Sequence, residues 1–237
     1  MMRYDIVMLS RGQVALTERC LESILQNSQN YRLIWVDNMP ARSAYGGFKD
    51  RMPIVYLPQE PGIGFTLGAN LGMGRCDAPY QVLLNDDTEV PPNWLPMLES
   101  GFAQVPKLAA IGTLSTSPRQ WQFEGLFPNK GPVLITNPCL TMNHPAIGTM
   151  MLAFFCTMFS RESWAAIGPF DERFSPGFGE DDWFCAKAYL VGWNLAVHTG
   201  VTVKHAHHAS WTDEERKRLQ ERNRHILKET FRPYIRN

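Results

Sequence analysis

The run Tyr80-Gln81-Val82-Leu83-Leu84 leads directly into Asn85-Asp86-Asp87, and this junction constrains the fold more than any other stretch of the chain. A short apolar run that stops at polar residues reads as a buried strand. Adjacent carboxylates at a strand's C-terminal end face the crevice where open α/β sheets bind ligands. Two such charges repel each other and are costly to desolvate unless something neutralises them. A hard divalent cation held between carboxylate and phosphate oxygens is the usual solution, so the triplet predicts a metal and a phosphorylated ligand. The plainer reading is an acidic turn before the next helix, because Asp-Asp-Thr is good capping chemistry. The triplet alone leaves both open.

The flanking pattern supports a sheet. Asp5 to Leu9 reads as a strand, and Ala15 to Leu25 as an amphipathic helix with Leu16, Cys20 and Ile24 on one face. Arg32 to Val36 is a second strand, ending in Asp37-Asn38, and residues 39–52, with Pro40, Gly46 and Gly47, read as a surface loop. Ile54 to Leu57 is a third strand. Gly62-Ile63-Gly64 opens a helix through Leu67, Ala69 and Leu71, and the strand before Asn85 follows. This order predicts an α/β fold with a mostly parallel, right-handed central sheet and helices on both faces. Asp37 and the Asp86-Asp87 pair fall on its C-terminal edge.

Further on, Pro91-Pro92-Asn93 is expected to start a helix, with Pro in its first turn. Residues 113–145, rich in Pro, Thr, Asn and Gly, suggest irregular structure. Arg161 to Ile167 and Gly179 to Leu190 read as helices. Two short strands should follow, ending in Thr202-Val203-Lys204-His205. Asp213 to Ile235 alternates charge clusters with Leu219, Ile226, Leu227 and Phe231, as an amphipathic helix does.

Composition narrows the class. The 237 residues suit one large α/β domain or a domain with a small appendage, and 44% hydrophobic with 19% charged residues marks a globular chain. A net charge of zero argues against a general nucleic-acid binder. Five scattered cysteines without a CxxC pair suit free thiols in a reducing compartment. The N-terminus lacks the charged and apolar regions of a signal peptide, and the most apolar stretch, Ile147 to Phe159, falls short of the roughly 20 residues that span a bilayer. A soluble, cytoplasmic protein is expected.

Four polar stations carry the chemistry. Asp37 alone would serve as a turn or cap; at a crevice it would accept from a ribose hydroxyl or a pyrimidine N–H. Asp86 and Asp87 are the ribose and metal candidates. Glu180-Asp181-Asp182 complements a helix dipole but exceeds what capping needs. A carboxylate desolvated there, beside Phe178 and Trp183, would have a raised pKa and suit a general base. His205, near His207 and His208, ends a strand; a lone histidine is usually structural, yet beside an acidic metal site it becomes a candidate ligand. Lys204 and His207 would alternatively meet a diphosphate. No ligand spacing indicates zinc.

In this order the stations resemble the GT-A-fold glycosyltransferases of the family 2 group. Arg19 to Ile24 looks like the family's first helix, and Trp35-Val36-Asp37-Asn38 like the strand whose Asp contacts the base. Gly64-Phe65 through Gly68-Ala69-Asn70-Leu71-Gly72 resembles the segment before the metal motif, and Leu83 to Val90 its variant DxD motif. Ile167 to Phe174 and Gly179-Glu180-Asp181-Asp182 are similar to the acceptor-side block ending in the catalytic ED pair. Val203-Lys204-His205, with Ser210, looks like the closing metal-histidine segment.

The resemblance implies an inverting enzyme that moves a sugar from a UDP- or dTDP-sugar to a hydroxyl of a glycan or lipid-linked acceptor, with Mn2+ or Mg2+. It implies Asp181 as the catalytic base; Asp37, Asp86, Ser10 and Asn70 on the nucleotide; Asp87 and His205 on the metal; and Glu180, Asp182 and Trp183 on the acceptor side. Residues 1–211 would form one catalytic domain, with a nucleotide-binding half (1–112) and an acceptor-binding half (113–211). Residues 212–237 would be a C-terminal amphipathic helix, whose basic excess from Arg216 to Arg236 would touch a membrane or a second copy in a homodimer. Two departures from the family pattern stand out: Leu9-Ser10-Arg11-Gly12 at the first strand's exit, and Phe154-Phe155-Cys156-Thr157 where a small, Gly-containing segment is usual.

Two other classes compete. A sugar nucleotidyltransferase would need a Gly-rich, basic loop after the first strand, and Ser10-Arg11-Gly12-Gln13 is too sparse for one. A catalytically silent glycan-binding module would use Phe178, Trp183 and Trp193 as stacking platforms, but gives no reason for carboxylates to recur at the sheet edge.

Overall fold

A computed structural model describes residues 2–117, 122, 132–134, 152–206 and 211–231. Strands β1 (Tyr4–Ser10), β2 (Tyr31–Asp37), β3 (Ile54–Pro58) and β4 (Tyr80–Asn85) alternate with helices α1 (Val14–Asn27), α2 (Tyr45–Phe48) and α3 (Gly64–Met73). They lie in the spatial order β3-β2-β1-β4, all parallel. The chain continues through β5 (Thr88–Glu89), α4 (Trp94–Gln104), β6 (Leu108–Ser115), β7 (Pro132–Leu134), β8 (Cys156–Ser160), α5 (Arg161–Ile167), α6 (Glu180–Leu190), β9 (Asn194–His205) and α7 (Asp213–Phe231). Beyond β4 the sheet is mixed: β8 runs antiparallel between β4 and β6, β6 and β9 are parallel, and β5 and β7 pair antiparallel with β9.

Alternation along the strands divides the core into two layers. Ile6, Met8, Leu33, Trp35, Val82 and Leu84 pack with Cys20, Leu21 and Ile24 of α1 and Trp94, Leu95 and Leu98 of α4. Val7, Leu9, Ile34, Val36 and Leu83 face the other way, onto Ala69 and Met73 of α3 and Phe184, Cys185 and Ala188 of α6. Helix α3 sits close because Gly68 and Gly72 face β1; a Cβ at Gly68 would lie 2.8 Å from Leu9 Cδ2.

Register sets the edge that matters. Ser10 pairs with Asp37 and Leu9 with Asn85, so the ends of β1, β2 and β4 share one level of the sheet.

Three local readings change. The stretch 39–52 is partly ordered by a 3-10 turn (Pro40–Arg42) and by α2, because Ala44, Phe48 and Met52 anchor it in the core. Helix α4 begins at Trp94, after Asn93 in the left-handed region (φ 60), which leaves Pro91 and Pro92 outside it. The two short strands expected after α6 are one strand, β9. Its register jumps from Thr113–His198 to Leu114–Thr202, and the extra residues Thr199-Gly200-Val201 form the irregularity that reads as a break. Within the apolar stretch ending at Phe159, Phe154 and Phe155 are buried and lead into β8, as core residues should. Among the described residues no helix is long and apolar enough to cross a membrane, and Cys20, Cys76, Cys156 and Cys185 are free thiols. Cys139 and most of 113–145 lie outside the described residues.

Candidate active site

A cleft of about 830 Å3 opens at the C-terminal edge of β1 and β4. Ser10, Arg11, Asp86 and Asp87 line it from the strand ends, His205 from the end of β9, and Glu180, Asp181 and Asp182 from the start of α6. A smaller groove of about 470 Å3 between α1 and α2 holds Glu22 and Arg51, which neutralise each other, and lies away from these carboxylates.

The β4–β5 turn builds the first part of the site. Thr88 Oγ1 donates to the Asn85 carbonyl at 2.7 Å, closing the turn, and Thr88 pairs with His205 across β5 and β9. The Ala206 N–H donates to the Asp87 carbonyl at 3.0 Å. Together these bring His205 Nε2 to 3.2 Å from Asp87 Oδ1, with side chains only 5% and 8% exposed. The Phe155 ring stacks on the imidazole, centroids 4.8 Å apart, and fixes its plane. Asp86, which also lines the cleft, is held by α1: Thr17 Oγ1 donates to its Oδ2 at 2.8 Å. Burial pushes the Asp86 carboxyl up to about 7, with the Asp87 charge adding to the shift and the Thr17 hydrogen bond opposing it.

The second part is the α6 start. Burial holds Glu180 well above the usual carboxylate range, and the Asp181 charge raises it further; Thr66 Oγ1 donates to its Oε2 at 3.3 Å. Burial also raises Asp181, against hydrogen bonds that include the Asp182 N–H at 2.9 Å. Asp182 is pushed up to about 7 by burial and by the Asp181 charge. Five carboxylates around one cleft form a site that favours a cation and a group able to surrender a proton.

Three expected site residues sit elsewhere. Asp37 is wholly buried behind the cleft wall; its Oδ1 accepts from Ser10 Oγ and the Met39 N–H, both at 3.0 Å, and its Oδ2 from Tyr56 Oη at 2.8 Å. Ser10, which also accepts from Trp35 Nε1 at 2.7 Å, reaches the cleft, as does Met39. Asn70 does not line the cleft: its amide brackets the Phe170 backbone, accepting from the N–H and donating to the carbonyl, each at 2.9 Å. Trp183 turns away from the cleft and packs against the core layer under α6. Lys204 pairs with Glu89 at 3.2 Å, and His207, His208 and Ser210 lie outside the described residues.

Sequence reasoning missed the supports and one wall. Thr17 and Thr66 orient Asp86 and Glu180, and Asn38 Oδ1 accepts from the N–H groups of Ile63 and Gly64, fixing the entrance of α3. Gln220, Asn223, Arg224 and Leu227 of α7 line the cleft, and the Arg11 guanidinium lies 4.2 Å over the Trp211 ring at its mouth. A signal existed for Asn223: it sits midway between Leu219 and Leu227 at four-residue spacing, where a polar residue on an apolar stripe has work to do.

The fold and the cleft define a GT-A glycosyltransferase architecture, a mixed sheet flanked by helices with carboxylates at its edge. The model for glycosyl transferase family 2 matches residues 5–168, and the chain belongs to that family. No curated protein sequence matches it. Among solved structures it is similar to GalNAc-T7 with UDP, GalNAc and Mn2+ (TM-score 0.66, 12% identity, covering 90% of this chain and 45% of that one). It is also similar to Staphylococcus aureus TarS 1-349 with UDP-GlcNAc (TM-score 0.65, 14% identity, 95% and 65%). A third is the Pyrobaculum calidifontis mannosyltransferase PcManGT with GDP-Man and Mn2+ (TM-score 0.63, 14% identity, 87% and 57%). The chain spans between 45% and 65% of the length of these three.

Proposed function

We propose that the protein transfers a sugar, with inversion, from a nucleoside diphosphate donor to an acceptor hydroxyl, with Asp181 as general base. The observation that carries this reading is the convergence of two chemically different carboxylate sets on one cleft: Asp86-Asp87 with His205, and Glu180-Asp181-Asp182.

The first set fits a divalent cation. Asp87 Oδ1 and His205 Nε2 are a hard oxygen and a borderline nitrogen 3.2 Å apart at the cleft wall, a pair suited to Mn2+ or Mg2+ completed by diphosphate oxygens. Among the described residues no third His, Cys, Asp or Glu joins them. Bound there, the metal would offset the charge that develops on the departing diphosphate. Asp86, held by Thr17, would take the ribose, and Ser10, backed by Asp37, would border the base.

The second set handles the proton. Asp181 would accept it from the acceptor hydroxyl as that oxygen attacks the anomeric carbon on the face opposite the diphosphate. The raised pKa brings the carboxylate nearer the operating pH, where a general base is most effective. One displacement inverts the configuration, and no covalent glycosyl-carboxylate is required, unlike in retaining hydrolases. Glu180 and Asp182 would order the acceptor. Residues 1–112 would act as the nucleotide half and 113–211 as the acceptor half. UDP- or dTDP-sugars are the donors that the family resemblance favours, and a glycan or lipid-linked acceptor suits the open cleft.

The test is release of nucleoside diphosphate from UDP-GlcNAc, dTDP-glucose and GDP-mannose, with Mn2+ and with a chelator. Release that requires the metal and disappears in Asp181→Asn supports the reading. Metal-independent release that survives in Asp181→Asn contradicts it.

A further inference from the structure

Helix α6 begins without a side-chain cap. Its N-cap position is Gly179, at φ 98, and Phe178 before it is held at φ 75, a conformation a bulky residue keeps only where its surroundings impose it. Within the loop 174–179 the Gly177 N–H donates to the Phe174 carbonyl at 2.9 Å, and the Phe65 N–H of α3 donates to the Pro176 carbonyl at 2.6 Å, but neither bond reaches Phe178 or Gly179, which lead Glu180, Asp181 and Asp182 into the cleft.

Helix α7 adds the hold that reaches Phe178. Asn223 is 1% exposed, and its Nδ2 donates to the carbonyls of Phe174 at 3.2 Å, Gly177 at 2.8 Å and Phe178 at 2.5 Å. An amide carries two hydrogens, so three acceptors share them and the nitrogen is fully engaged. Arg222 Nε donates to Asn223 Oδ1 at 2.7 Å and orients the amide, while Arg222 Nη2 donates to the Ser175 carbonyl at 2.5 Å. Carbonyls of four loop residues thus turn toward two adjacent side chains of one helix. Asn223 occupies a stripe between Leu219 and Leu227, where burying an amide is unfavourable unless its hydrogen bonds are made. All of α7 lies beyond the residues 5–168 that match the family model.

We infer that Asn223 is a positioning residue for Asp181: by holding the carbonyls of Phe174, Gly177 and Phe178 it sets the backbone at Gly179 and so the placement of the base. This rests on the general-base reading given above. Asn223 itself need not touch substrate.

The experiment compares the wild-type chain with Asn223→Ala, Arg222→Gln and an exposed control, Arg218→Ala. Each is assayed with UDP-GlcNAc, dTDP-glucose and GDP-mannose in Mn2+ for nucleoside diphosphate release across pH, and for affinity toward the same diphosphate. Asn223→Ala should lower kcat by about 100-fold, the scale expected when a reacting group moves by about 1 Å. It should also displace the acid limb of the pH profile and leave diphosphate affinity within about twofold of wild type, as expected when only a transition-state interaction is lost. Arg222→Gln should show the same pattern to a smaller degree, and Arg218→Ala no change. If Asn223→Ala does not fold, Arg222→Gln decides by the same criteria. Wild-type kcat with an unmoved acid limb in the folded variants overturns the inference, as do equal losses of kcat and diphosphate affinity. A wild type that releases no diphosphate from any donor overturns the general-base reading and this inference with it; an active wild type with insensitive variants overturns this inference alone.

Discussion

His205 Nε2 lies 3.2 Å from Asp87 Oδ1 although the two residues are far apart in sequence, because β5 pairs with the last residues of β9. The pairing of Thr88 with His205 and the Ala206-to-Asp87 backbone bond hold the two side chains together independently of any ligand. A pair preorganised in this way loses little freedom when it takes up a cation, which favours binding.

If Asp87 and His205 share a cation, either Asp87→Ala or His205→Ala should weaken Mn2+-dependent UDP binding by at least tenfold, about 1.4 kcal/mol. Both variants should leave metal-free UDP binding nearly unchanged. Calorimetric titration with and without Mn2+ checks this, and a wild-type metal dependence in Asp87→Ala would refute the assignment.

Asp181→Asn should reduce turnover by roughly 100- to 10,000-fold, the range contributed by general base catalysis, while sparing donor binding. A base must be deprotonated to act, so wild-type kcat should fall as pH drops through the Asp181 pKa. Burial raises that pKa, which places the fall above the ordinary aspartate range. Steady-state rates across pH, paired with nucleotide titration of the variant, separate a catalytic loss from a binding loss.

Asp182 allows a prediction about stability. Its carboxyl titrates near 3.8 when exposed and is pushed up to about 7 in the folded protein, so between these values the folded state binds the proton more strongly. The stabilisation this provides is fully present below pH 3.8 and is lost as pH rises through about 7. Asp182→Asn removes the charge at every pH. It should raise Tm relative to wild type at pH 8, by roughly 2–4 °C for each kcal/mol recovered, and give little or no gain at pH 4. A gain of the same size at both pH values in paired thermal melts would contradict this account.

Close contact between α3 and β1 predicts a packing cost. A Cβ at Gly72 would overlap Val7 Cγ1 and lie 3.2 Å from Val36 Cγ2, both in the buried core. Gly72→Ala should destabilise by about 1–3 kcal/mol, the range for overpacking, with Tm measured by calorimetry. An unchanged Tm would mean that α3 can move off the sheet freely.

Much of this architecture was legible in the sequence, for a physical reason. The runs Asp5–Leu9, Arg32–Val36 and Tyr80–Leu84 are buried on both faces, so apolar continuity marked them and the polar residues that follow marked their ends. Asp86 and Asp87 drew attention because they directly follow β4, Asp181 because it lies in the first turn of α6, and His205 because it ends β9. The long β9 was read as two strands because three extra residues at Thr199-Gly200-Val201 interrupt its pattern. Asn70 and Trp183 lie off the cleft lining, because sequence position fixes the element but not the direction of the side chain: one bonds Phe170 and the other packs on the core. The α7 wall was hidden for a different reason. Its contacts with loop 174–178 join residues more than forty positions apart, and local pattern carries no trace of them beyond an Asn on an apolar stripe.

Metal-assisted nucleotide binding is tested most simply by thermal stabilisation of the protein by UDP, dTDP and GDP, each with and without Mn2+. A ligand in 100-fold excess over its dissociation constant adds about 2.7 kcal/mol to the folded state. For a domain of this size that corresponds to a rise in Tm of roughly 5–11 °C. Such a rise is expected with UDP or dTDP only when Mn2+ is present, and should be lost in Asp87→Ala. No metal-dependent shift with any of the three nucleotides would contradict the claim and leave Asp86-Asp87 as a structural turn.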